Sequence, residues 1–209
     1  MNDPRTLFTI WLTAFFILAS CAGPVDKPEK TGFLSDYSRL ELMKDDNLRY
    51  VDESLSDYES FMIDPVAILF ERDPDPEKRV FSDKELEDLN QYIVDKLTHQ
   101  LTKDDGYAIV NEPGQGVARI RIGLAEVDDT IGLLNVSIYT KITGLGLGGL
   151  SMEGEIVDSV TGEQIVAAIR WGSGSRVMRA GFTHTGDAKI LIDRWTKQVR
   201  KQVDEQHGK

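Results

Sequence analysis

Leu86, Leu89, Ile93, Leu97 and Leu101 recur at spacings of three and four, which predicts one apolar stripe along an amphipathic helix. Ser82-Asp83-Lys84-Glu85 has the spacing of a capping box, and Phe81 with Leu86 takes the staple positions around it. Asp104-Asp105-Gly106 should end this helix. A second stripe, Ala188, Leu191, Ile192, Trp195, Val199 and Val203, predicts another helix from about Thr185 to Glu205.

Between the stripes the period changes to two. In 117–127, Ala118, Ile120, Ile122 and Leu124 alternate with Arg119 and Arg121, as in a strand with one wet face. Segments 152–158 and 164–171 flank Ser159-Val160-Thr161-Gly162, a short loop with glycine where a left-handed residue is usual, and predict a hairpin. In its second arm Ile165, Ala167, Ile169 and Trp171 should share one face. The apolar run Pro65–Phe70 reads as a strand buried on both faces, and 107–111 as a short one. Residues 32–62 scatter aromatic and aliphatic residues through acidic sequence without a clean period, which predicts a strap with short helical turns. This order implies an α+β fold: a single mixed or antiparallel sheet with two amphipathic helices packed on one face.

The amino terminus follows a different rule. Twelve predominantly apolar residues, Leu7 to Leu18, follow Arg5 and are too few to span a bilayer, which suits the apolar part of a secretory signal. The chain's single cysteine, Cys21, comes directly after it. The expected organisation is a signal peptide at 1–20, a tether at 21–31 containing two prolines, and one domain at 32–209.

Charge narrows the partners. The net charge is −11, and removing residues 1–20 leaves it there, since that segment carries only Asp3 and Arg5. Such a surface repels phosphate backbones, so nucleic acid is excluded, and attachment to a membrane should run through lipid and not through the protein face.

Candidate chemistry is sparse. His99, His184 and His207 lack metal-ligand spacing, and no nucleophile elbow, phosphate loop or metalloprotease motif occurs. The glycines at 144, 146, 148 and 149 are followed by strand-like sequence and not by the helix a dinucleotide loop needs. The acidic groups Asp45-Asp46, Asp52-Glu53 and Asp73–Glu77 do not fit an EF-hand loop and read as solvated loops. No catalytic, metal or cofactor residue is assigned, and a non-enzymatic protein without cofactor is expected. One segment stands apart: 131–150 carries Lys141 as its only charge. Val136, Ile138 and Thr140 alternate there with polar neighbours, favouring a strand, and the glycines beyond leave a mobile backbone beside Leu145 and Leu147, the candidate interaction surface.

Leu18-Ala19-Ser20-Cys21 resembles the lipobox of bacterial lipoproteins. That resemblance implies a diacylglyceryl group on the Cys21 thiol, cleavage before it and acylation, as with palmitate, of the new amino terminus. Ala22, where an aspartate would signal retention, implies the outer membrane, facing the periplasm. The motifs GFLSDYSRL (32–40), YESFMIDPV (58–66), EIVDSVTGEQIVAA (155–168) and TGDAKILIDRW (185–195) resemble a group of Gram-negative lipoproteins known only as a domain of unknown function. The element order is also similar to the amino-terminal domain of TolB and to curli-secretion-type lipoproteins. The function implied is an envelope binding or accessory module with an envelope protein partner; the alternative is an oligomerising subunit of a secretion or envelope assembly.

Overall fold

The computed structural model describes residues 30–43, 47–70, 74–79, 81–127, 149–172 and 184–209. Cys21, Leu145 and Leu147 lie outside them. Among the described residues eight strands form one sheet: β1 (Glu41–Leu42), β2 (Leu48–Val51), β3 (Ser60–Ile63), β4 (Ala67–Ile68), β5 (Ala108–Ile109), β6 (Val117–Val127), β7 (Gly149–Asp158) and β8 (Gln164–Gly172). The order is β1-β2-β8-β7-β6-β3-β5, with β4 continuing along β6 beyond β3. β3 and β4 run parallel to β6 and the other β6–β7–β8–β2–β1 pairs are antiparallel, so the sheet is mixed. Parallel pairing needs a crossover, and α1 (Asp83–Thr102) supplies it between β4 and the β5–β6 arm. α2 (His184–Gln206) closes the chain and packs beside α1.

Both stripes bury as the spacing requires. Leu89, Leu97, Leu101 and Val203 have no exposed surface, and Ile93 and Ile192 have 1% each. They share one core with Phe61, Ile120, Ile122, Leu124 and Ile156, which places both helices on the same sheet face. The capping box is present: Ser82 Oγ accepts the Glu85 amide at 3.2 Å and the Glu85 carboxylate accepts the Ser82 amide at 2.8 Å. No helix among the described residues is long and apolar enough to cross a membrane.

α1 ends at Thr102, and the left-handed residues after it are Asp104 and Asp105, with φ of 51° and 52°, not Gly106. Gly106 is needed for a different reason: a Cβ there would collide with the Leu101 and Lys103 carbonyls. Those carbonyls are occupied by buried Arg200, whose Nη1 donates to Gln100, Leu101 and Lys103 oxygens at 2.8, 3.1 and 2.9 Å. α2 thereby caps the carboxyl end of α1, where a cation also meets the negative end of the helix dipole.

Three expectations change. Residues 32–62 are a strap only as far as Leu40; beyond it they supply β1, β2, β3 and one 3-10 turn at Glu53–Asp57. The run 65–70 gives a two-residue, half-buried strand, because Pro65 has no amide to donate and four chain steps on this side, Ile63 to Ala67, face three on β6. The Val66 amide, turned out of the ladder, donates to Asn90 Oδ1 of α1 at 3.3 Å. Finally, Ile165 does not share a face with Ala167 and Ile169. The register slips between Ile156 and Val157, and this bulge sends Ile165 with Val166 into the helix-side core.

Candidate functional site

The face of the sheet away from the helices holds the unusual chemistry. On it Arg121 stands opposite Glu155 across β6 and β7, and Gly123 opposite Glu153. Both glutamates are buried, with 0% exposure for Glu153 and 1% for Glu155. A buried carboxylate is costly unless its oxygens are filled, and here the strap at 31–40 fills them. Glu153 Oε1 accepts the Thr31 amide at 2.9 Å and Oε2 accepts the Tyr37 hydroxyl at 2.5 Å. Glu155 Oε2 accepts the Ser35 amide at 2.9 Å, the Ser35 hydroxyl at 2.7 Å and the Gln164 side-chain amide at 2.8 Å, while Oε1 accepts Arg121 at 2.5 Å.

Most residues of the strap motif have a place in or beside this clamp. Gly32, at φ 85°, adopts a turn that lets its amide donate to the Tyr37 hydroxyl at 2.9 Å. Phe33 lies under the Arg121 guanidinium at 5.1 Å, and Leu34 packs in a second core with Ala167 and Ile169. Asp36 accepts the Ser38 amide at 2.7 Å and pairs with Arg39. Arg39 stacks on Tyr50 at 4.3 Å and donates to the Gln164 carbonyl at 3.0 Å. Burial, and next the adjacent Glu153 carboxylate, push the Tyr37 hydroxyl above its ordinary pKa.

Beside the clamp opens a cleft of about 460 Å³ lined by Asp64, Arg119, Arg121, Val157 and the hairpin turn 158–162. Arg119 is held by Asp64, with Nε 2.8 and 2.9 Å from the two carboxylate oxygens, and this hydrogen bond raises the guanidinium's pKa further. The turn is fixed from below. Asp158 Oδ1 accepts the Val160 and Thr161 amides at 2.8 and 2.6 Å, Oδ2 accepts the Tyr58 hydroxyl at 2.9 Å, and Gly162 takes φ 76°. These bonds, the Thr161 amide foremost, hold the Asp158 carboxyl below its usual range. The tip presents Val160, 68% exposed, to solvent.

The histidines and acidic runs fall elsewhere. His99 is exposed on α1, and His184 opens α2. His207 bridges the Val203 and Tyr58 carbonyls at 2.8 and 3.1 Å, pinning the carboxyl terminus. Asp52 caps the 3-10 turn Glu53–Asp57 and Asp75 caps a second one at Pro76–Lys78, a more definite role than a solvated loop. Sequence reasoning missed Glu153, Glu155, Arg119 and Arg121, because on β6 and β7 they alternate with apolar residues as solvent-facing positions do. The only signal was the donor-rich strap more than a hundred residues away.

The fold and its clamp describe an α+β sheet protein whose amino-terminal strap is bolted to a polar sheet face. The chain belongs to the family described as a protein of unknown function (DUF3313), whose model matches residues 29–199 and so begins at the strap. No curated protein matches the sequence. Among solved structures the chain is similar to the PelC dodecamer from Paraburkholderia phytofirmans, at 10% identity over 72% of this chain and 96% of that one, with a TM-score of 0.38. It is also similar to a putative neuraminyllactose-binding hemagglutinin homolog from Helicobacter pylori, at 12% identity over 72% and 85%, TM-score 0.39.

Proposed function

We propose that the protein is a lipid-anchored, non-enzymatic binding module of the bacterial envelope, tethered to the outer membrane through Cys21 and presenting its strap-side face to another envelope component. The observation that carries this reading is the seat of Thr31 on buried Glu153. Thr31 lies ten residues beyond Cys21, so a fully extended tether reaches at most roughly 35 Å. An acylated Cys21 would hold the clamp and the adjoining cleft near the membrane, with the helix layer on the opposite side of the sheet. Acylation suits the anchoring role because more than one acyl chain is needed for stable attachment.

Labelling cells with radioactive palmitate tests the anchor. Incorporation lost in Cys21→Ala, with accumulation of uncleaved precursor and recovery of the wild type with outer-membrane markers, supports it; normal processing of the variant refutes it. A photo-crosslinker at Val160, compared with one at Leu147 from the segment outside the described residues, tests the binding face. Specific capture from Val160 supports the strap-side face, and capture from Leu147 alone moves the interaction surface there. A large ring in native-mass measurement of the detergent-solubilised protein would replace the module with the oligomerising assembly subunit.

A further inference from the structure

The cleft beside the strap has a lopsided hydrogen-bond inventory. Its acceptors are already engaged. Asp64 receives Arg119, and Asp158 receives two backbone amides and a tyrosine. Ser159 Oγ both accepts from and donates to Gly114, at 3.0 and 3.1 Å, and Thr161 Oγ1 accepts the Glu163 amide at 3.2 Å. Its donors are not. Among the described residues Arg119 bonds only through Nε and Arg121 only through Nη1, so the terminal nitrogens of the first and the Nη2 edge of the second have no protein acceptor. The side chains are 42% and 35% exposed, two positions apart on one face of β6, and both line the same cleft.

Each guanidinium is also held in place. A carboxylate fixes one edge of Arg119, and a buried carboxylate with the Phe33 ring fixes Arg121. Fixed forks with spare parallel donors are the geometry that binds a planar or tetrahedral oxyanion in bidentate fashion. Val160 stands exposed on a turn that need not rearrange to receive a ligand, since Asp158 Oδ1 already holds the Val160 and Thr161 amides. We infer that this cleft is an oxyanion-binding site: Arg119 and Arg121 clasp a carboxylate or phosphate whose apolar substituent lies against Val160. The carboxylates of the cleft are each spent on a donor, but their charge remains, so binding is weak and depends on ionic strength.

This inference rests on the reading of the strap-side face as the binding face, and its test is independent of the anchor. The full chain, labelled with nitrogen-15 and held in mild detergent, is titrated at constant ionic strength with N-acetyl-leucine, with inorganic phosphate and with sodium chloride, while the arginine side-chain N–H signals are followed. Arg119→Gln and Arg121→Lys assign the two signals. The expected result is a saturable shift of both signals with N-acetyl-leucine or with phosphate and none with chloride. Arg119→Gln should weaken the midpoint at least about tenfold, as loss of a hydrogen bond to a charged group implies. The ligand with the lower midpoint identifies a carboxylate or a phosphate source. Val160→Ser should weaken only the N-acetyl-leucine midpoint. Shifts that grow linearly without saturation, or that survive Arg119→Gln unchanged while α1 signals stay native, overturn the site.

Discussion

The two faces of the sheet solve burial in opposite ways. On the helix face, two apolar stripes meet Phe61, Ile120, Ile122 and Ile156, and the favourable term is the removal of apolar surface from water. On the strap face, among the described residues, Leu34, Ala167 and Ile169 form a small buried apolar group, and beside it two glutamates are as fully buried as the core leucines. The first face tolerates any well-shaped apolar residue. The second works only if every oxygen has its donor, so it specifies one seating of the strap and no other.

The comparison breaks most visibly in the helix core. Ile93→Ala should cost about 2–5 kcal/mol in denaturant unfolding, since Ile93 is 1% exposed between Leu89 and Leu97. A cost below about 0.5 kcal/mol would class it with surface positions. Glu155→Ala is the matching test on the strap face. It removes the acceptor of Ser35, Gln164 and Arg121, and the cost should be about 3 kcal/mol, moderated because Arg121 still reaches water. Were this face merely solvated, the change would be nearly neutral. Tyr37→Phe removes one hydroxyl from Glu153 and should cost about 1.5 kcal/mol.

Titration sharpens the contrast further. Burial foremost, then the Asp158 and Asp204 carboxylates, push the Tyr58 and Tyr107 hydroxyls from 10 up to about 12. A raised pKa means the folded state holds its proton after the unfolded state has lost it. This stabilisation is complete below pH 10 and is lost as the pH climbs from 10 to 12. Tyr107→Phe should flatten that decline in chemical denaturation. At the other end, the Tyr50 hydroxyl, followed by the Ser54 amide, lowers the Asp52 carboxyl from 3.8 to about 2. Its contribution is present above pH 3.8 and disappears as the pH falls toward 2, and Tyr50→Phe should reduce the loss. The smallest effect belongs to Val160→Ser, which should change stability by less than about 0.5 kcal/mol while altering the cleft's ligand preference.

The two faces also differ in how far the sequence discloses them. The stripe from Leu86 to Leu101, the capping box at Ser82 and the turn at Gly162 are local patterns, and each matches its element within a residue or two. Ile165 was misplaced because a bulge breaks the period of two without leaving a glycine or proline to mark it. β3 was hidden because its partner β6 is more than fifty residues away and parallel pairing leaves no turn signature. The clamp was hidden for a chemical reason: Glu153 and Glu155 on a period of two look like a wet face, and only donors brought from the strap make them interior. The strap motif at 32–40 was one of four that together resembled a lipoprotein group, yet the physical role of its serine, tyrosine and glycine emerges only against β7.

Amide hydrogen exchange at Ser35 tests the clamp most directly, with the Ile93 amide of α1 as the internal reference. The Ser35 amide should exchange slowly in the wild type, and in Glu155→Ala at least about tenfold faster than any change at Ile93 requires. A Ser35 amide that exchanges at the rate of an open loop in the wild type, or that is unaffected by Glu155→Ala, would contradict the account.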